Sequence, residues 1–81
     1  MNNTLINENI AVTSMGFKQN LTPYPRRIEY RGSAIEFIDA GLRCLIRKGS
    51  HVSEVMTMSD GHSFFRLRRD GGNWTLLSIS A

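Results

Sequence analysis

Residues 63–80 read SFFRLRRDGGNWTLLSIS, two short runs of aromatic, aliphatic and arginine residues on either side of a glycine pair. Residues 70–73, Asp-Gly-Gly-Asn, are a strong turn signal. Two such runs that flank a tight turn are typical of a β-hairpin. We predict three facing pairs across it: Arg69 with Trp74, Leu67 with Leu76, and Phe65 with Ser78. Arg69 can then lie over the ring of Trp74 as a cation–π contact.

The same pattern of short runs and turn signals continues upstream of this hairpin. The turn signals there are Gly32-Ser33, Ala40-Gly41, Gly49-Ser50 and Asp60-Gly61. Evenly spaced short strands with turns between them indicate an all-β meander. We predict an all-β fold, a small antiparallel meander of five or six strands curled into a barrel or half-barrel of SH3-like size. Residues 51–58 fit either a strand or a single helical turn that begins after Ser50.

The first hairpin is predicted to turn at Gly32-Ser33, which places Tyr30 opposite Ile35 and Glu29 opposite Glu36. A second turn at Ala40-Gly41 would pair the strand of residues 42–48 with the second strand of this hairpin. The alternation of apolar residues then predicts one buried face. The predicted core consists of Ile28, Tyr30, Ile35, Phe37, Leu42, Cys44, Ile46, Phe65, Leu67, Trp74 and Leu76, with Trp74 as its largest contributor.

Residues 1–24 are predicted to be a flexible N-terminal tail, because they hold five asparagines and scattered aliphatic residues. An added edge strand over residues 10–15 is the alternative. Residues 25–81 then form a single β-domain. A domain near 60 residues buries only about 60% of its unfolded surface, so its stability is marginal. Cys44 is the only cysteine and cannot form a disulfide within the chain. Association with a second subunit is then the remaining way to stabilise so small a core.

Arginine dominates the positive charge of the predicted β-domain. The chain has a net charge of +3, and residues 1–24 contribute nothing to it because Glu8 and Lys18 cancel. Alternation places most arginines on the predicted outer face, together with apolar side chains. The candidate binding residues are Arg27, Arg31, Arg43, Arg47, Phe64, Arg66, Arg68 and Leu77.

This outer face has two functional interpretations beside that of an ordinary solvated surface. A mixed arginine and apolar face is typical of a protein interface, either with an unknown partner or with a second copy as a homodimer. The alternative is single-stranded nucleic acid, RNA or DNA, with guanidinium groups on phosphates and Phe64 stacked on a base. We expect a non-catalytic interaction module, with nucleic-acid binding as the rival hypothesis.

The residue types that catalysis or metal binding needs are few and widely separated. Asp60 and His62 flank a glycine in a predicted turn, and their spacing fits no zinc or calcium pattern. Cys44 is assigned to the buried face, with no base near it in sequence. We therefore expect no enzymatic activity, no cofactor and no metal. The chain shows no secretory signal and no run long enough to span a membrane, so we expect a cytoplasmic protein.

Overall fold

The computed structural model describes residues 3–81 of the chain. Strands make up most of this part, and it contains no helix long and apolar enough to cross a membrane. The strands are β1 (Asn3–Phe17), β2 (Pro23–Tyr30), β3 (Ser33–Glu36), β4 (Leu42–Lys48), β5 (His51–Ser59), β6 (Phe64–Asp70) and β7 (Asn73–Ser80).

The strands form one antiparallel sheet in the order β3-β2-β1-β7-β6-β5-β4. The predicted all-β antiparallel fold is therefore confirmed, with seven strands rather than five or six. The sheet does not close into a barrel, so β3 and β4 are its two edges. The first and last strands are neighbours, and residues 37–41 carry the chain from one edge to the other.

Strand β1 is the main correction to the predicted organisation, since residues 3–17 lie in the middle of the sheet rather than in a tail. Residues 3–10 pair with β7, and residues 11–17 pair with β2. An irregularity between Leu5 and Glu8, where Asn7 has a φ of 55°, separates paired stretches. The polar residues of this segment alternate with aliphatic ones, and period-2 alternation outweighs the low strand propensity of asparagine once one face is buried.

The first hairpin turns one residue earlier than predicted. Arg31 and Gly32 form the turn with φ of 51° and 80°, and positive φ at both central positions matches the twist of the flanking strands. Ile28 then lies opposite Ile35. The faces are as predicted, because the register shift is even. The unfavourable Glu29–Glu36 pair is replaced by Arg27–Glu36, whose charged groups lie 3.5 Å apart.

The predicted pairing of residues 42–48 with the first hairpin is wrong, because β4 pairs with β5 at the other end of the sheet. The backbone between β3 and β4 forms hydrogen bonds to both halves of the molecule. The N–H of Phe37 donates to the carbonyl of Arg26 on β2, and the N–H of Ile38 donates to the carbonyl of Ser59 on β5, each at 2.9 Å. After this crossing, Leu42, Cys44 and Ile46 point to the face of the sheet that turns away from the core. They are therefore exposed rather than buried in the core.

The core lies between the curled halves of the sheet. Residues 51–59 form a strand throughout, which resolves the ambiguity of this segment, and Met56 and Met58 are buried. Phe37 and Phe65 are in contact, with ring centroids 5.5 Å apart. The buried apolar cluster is Ile28, Phe37, Met56, Met58, Phe65, Leu67 and Leu76, against which Tyr30, Ile35 and Trp74 pack in part.

The last hairpin follows its prediction up to a bulge. Arg69 lies opposite Trp74 and Leu67 opposite Leu76, as predicted. The register then shifts, so that Phe65 lies opposite Ile79 and not Ser78. The guanidinium carbon of Arg69 is 5.9 Å from the centre of the Trp74 ring, as the predicted cation–π contact requires. Trp74 is partly buried and packs against the buried cluster.

Candidate interaction surface

Strands β4 to β7 carry a groove of about 320 Å³ on the face of the sheet that turns away from the core. We call it the outer groove. It is lined by Ile46, Lys48, His51, Ser53, Val55, Arg66, Arg68, Asp70 and Leu77.

Strand alternation places these side chains together. Arg66 and Arg68 are two residues apart on β6 and therefore share a face. Val55 lies directly opposite Arg68, and its other neighbour in the sheet is Cys44 on β4. Leu77 lies at the irregularity that separates the two paired stretches of β6 and β7, and a bulge of this kind redirects a side chain.

The outer groove holds positive charge that is not neutralised nearby. Within residues 3–81, no carboxylate lies within 4.0 Å of a charged nitrogen of Lys48, Arg66 or Arg68. Asp70 instead lies beside His51, with its Oδ1 atom 3.0 Å from the imidazole Nε2. The groove therefore combines three free cations with the aliphatic surface of Ile46, Val55 and Leu77.

Arg43 and Arg47 lie on the opposite face of β4 and do not line the outer groove. The Arg43 Nε atom lies 2.9 Å from Glu54 Oε2, and an Nη atom donates to the carbonyl of Pro23 on β2. An Nη atom of Arg69 also donates to Glu54 Oε1 at 3.4 Å. Arg43 thus ties β4 and β5 to β2, and its predicted place in a common arginine face is wrong.

Arg27 and Arg31 belong to the first hairpin, and they too lie outside the groove. The Arg27 Nε atom donates to the Thr13 hydroxyl at 3.1 Å. Arg31 lies 2.7 Å from Glu8, and this hydrogen bond and charge raise the pKa of its guanidinium. Both arginines have partners within the chain, so they stabilise the contact of the hairpin with β1.

Phe64 lies on the same face of β6 as Arg66 but belongs to a separate apolar patch. Its side chain is 53% exposed, and it borders a shallow pocket with Leu42 and Thr57 beyond the end of the outer groove. Three of the eight predicted binding residues therefore line the groove: Arg66, Arg68 and Leu77.

The groove also contains residues that sequence reasoning missed. The sequence did not assign Val55 and Ser53 to a face of the sheet, because residues 51–58 fit either a strand or a helical turn. Ile46 was assigned to the core, and Lys48 follows it on the same face of β4. The register between Lys48 and His51 is that of a two-residue hairpin at Gly49-Ser50, and this turn signal is the one feature that could have located them.

The candidates for catalysis or metal binding lie in two parts of the sheet, with Asp60 and His62 in the turn between β5 and β6, and Cys44 on β4. Residues 3–81 contain no group of three or more His, Cys, Asp or Glu residues that could hold a metal ion. Cys44 is exposed on β4 rather than buried. The carboxylate of Asp60 accepts the backbone N–H groups of His62 and Ser63, each at 2.8 Å, and so closes the turn between β5 and β6.

The Asp60 turn makes stability depend on pH. The hydrogen bonds from Ser63 and His62 lower the pKa of Asp60 in the folded state. Ionised Asp60 therefore stabilises the fold above its ordinary pKa of about 3.9, and this contribution is lost as the pH falls through the lowered folded value. We expect Asp60→Asn, which keeps an oxygen acceptor but does not titrate, to have a lower free energy of unfolding than the wild type at neutral pH, because it lacks the stabilising charge of ionised Asp60. Urea unfolding should show this difference shrinking below about pH 4; a difference that stays constant down to about pH 2 would contradict the assignment.

No family model matches this chain, and neither a curated protein nor a solved structure matches it.

Proposed function

We propose that this protein is a non-catalytic interaction module that binds a protein partner through the outer groove. The observation that carries the proposal is the position of Lys48, Arg66 and Arg68 around an aliphatic floor, without an acidic partner for any of them in the described chain. The charge of Arg43, by contrast, is neutralised within the fold by an ion pair.

The chemistry of the groove indicates what kind of partner it fits. Arg66 and Arg68 present planar guanidinium groups, which bind carboxylates through paired hydrogen bonds. Ile46, Val55 and Leu77 offer apolar contact, and Val55 is buried at the base. An extended segment can satisfy both if acidic and aliphatic residues take turns at every second position, because successive side chains of a strand point to opposite sides and only every second one would enter the groove.

The test compares capture by a groove variant with capture by a matched control. We expect wild-type protein, immobilised and exposed to lysate of its native host, to retain a partner that Arg66→Ala/Arg68→Ala does not retain. Arg26→Ala is the control, because Arg26 is an exposed arginine on β2 outside the groove. All three substitutions are at exposed positions, and each should change the free energy of unfolding by no more than about 0.5 kcal/mol. Equal capture by all three proteins would contradict the proposal.

A second candidate is single-stranded nucleic acid bound by the same face, and the alternation of Phe64, Arg66 and Arg68 along β6 favours it. Base stacking requires aromatic faces, and the lining of the outer groove contains no Phe, Tyr or Trp ring and only the imidazole of His51, which lies 3.0 Å from Asp70, so the protein partner has better support. The salt dependence of binding separates the two. With phosphate contacts from Lys48, Arg66 and Arg68, a slope near −0.7 per contact gives a loss of affinity of about tenfold or more between about 50 and 200 mM salt. An oligonucleotide titration that shows no binding at low salt would exclude this candidate.

A further inference from the structure

We infer that two copies of this chain associate through their β4 strands, which pair antiparallel across a two-fold axis. This self-association goes beyond the proposed function, because it uses the open edge of the sheet. Of the groove lining it engages the β4 residues Ile46 and Lys48, and it leaves Arg66 and Arg68 free. Cys44 of one copy then lies directly opposite Cys44 of the other.

The edge formed by β4 is unprotected in the single chain. Every residue of β4 is exposed, and within residues 3–81 its one neighbour in the sheet is β5. Leu42 is 75% and Leu45 is 65% exposed. An exposed edge with apolar side chains and unpaired backbone groups is a template for another strand. The opposite edge, β3, has only four residues and so offers a much shorter template.

The residues of β4 favour a second copy as the occupant. In a two-fold antiparallel pairing centred on Cys44, Leu42 faces Ile46 of the other copy on one side of the sheet. A pairing centred on Leu45 would instead set Arg43 opposite Arg47 and Leu42 opposite Lys48. Like charges directly opposite each other are destabilising, so the register centred on Cys44 is preferred.

Charge along β4 is complementary to itself in this register. The basic end of the strand, Arg47 and Lys48, meets the segment of residues 39–41 of the other copy, where Asp39 supplies a carboxylate. Arg43 is already paired with Glu54, so it brings no free charge to the axis. A two-fold axis perpendicular to the sheet also leaves both outer grooves on the same face of the continuous sheet.

Sedimentation and thiol cross-linking test this inference together. At micromolar concentration we expect a mass of about twice the 9.2 kDa of the single chain. Diamide, which takes up the two protons and two electrons of the thiols, should join the copies through Cys44. Directly opposed strand residues have Cα atoms about 4.5–5.5 Å apart, within the range of about 4.4–6.8 Å for a disulfide.

Matched variants make both results specific. Leu42→Lys/Leu45→Lys should raise the dimer dissociation constant by about tenfold or more, because lysine on an edge strand opposes pairing with another strand. Leu5→Lys should not, although Leu5 is as exposed as Leu42, because it lies on the inner strand β1. Cys44→Ser/Leu5→Cys should not cross-link, and circular dichroism checks that each variant is folded.

Two results would overturn the inference. A monomer at high concentration excludes the dimer, and a dimer that diamide does not cross-link excludes this register. Arg66→Ala/Arg68→Ala should leave the mass unchanged while it abolishes partner capture. Failure of the dimer and failure of the proposed function are therefore distinguishable.

Discussion

Phe65→Ala is expected to destabilise the fold by about 3–5 kcal/mol, the usual cost of removing a buried phenylalanine. Phe65 is 4% exposed and contacts Phe37, which lies at the crossing between the two halves of the molecule. The cavity left by its ring would therefore separate the β3–β4 connection from β6. Small domains have about 5–15 kcal/mol of total stability or less, so we expect a large part of the population to be unfolded at 37 °C. Thermal unfolding followed by circular dichroism measures the effect.

The adjacent residue provides the control for this experiment. Phe64 precedes Phe65 on β6, points to the other face and is 53% exposed. Phe64→Ala removes the same atoms and should cost no more than about 0.5 kcal/mol. If the two variants lost similar stability, the assignment of faces on β6 would be wrong.

Gly41→Ala is expected to destabilise the protein strongly, because the chain at the start of β4 passes close to β5. Gly41 has a φ of 63°, and a Cβ atom there would overlap the backbone carbonyl oxygen of Thr57 and lie 2.6 Å from the sulfur of Met58. The backbone conformation costs an alanine about 1–2 kcal/mol. The overlap adds about 1–3 kcal/mol, since the carbonyl is held in the sheet and cannot move freely.

Gly49 separates these two contributions. It has a φ of 60°, but within the described residues 3–81 no heavy atom beyond its own chain neighbours lies within 4 Å of the position of an added Cβ. Gly49→Ala therefore pays only the cost of the backbone conformation, about 1–2 kcal/mol. Denaturant unfolding of both variants should give Gly41→Ala the greater loss by about 1–3 kcal/mol. Equal losses would mean that residues 37–41 do not follow the described path.

Local sequence signals predicted which residues share a face within one strand or hairpin. They did not predict which distant strands contribute to the same surface. The alternation of Phe64, Arg66 and Arg68 placed them on one face of β6, and the Gly71-Gly72 turn placed Arg69 opposite Trp74. Both follow from the period of two in a strand and from turn chemistry, which act over a few residues. The arginines of distant strands were combined into one face only by assumption. Arg43 and Arg31 are instead paired with Glu54 and Glu8 inside the fold.

The sequence by itself determined the all-β antiparallel class, the faces of the first hairpin and of the last hairpin up to its bulge, and the apolar side chains of β6 and β7 that form much of the core. Only the tertiary structure decided that Asn3–Phe17 lies between β2 and β7, and that β4 pairs with β5 at an open edge. The physical reason is range. Turns and alternation are local, whereas the choice between neighbours depends on which arrangement buries the most apolar surface across the whole chain. That choice brought Lys48, Arg66 and Arg68 together and left β4 exposed.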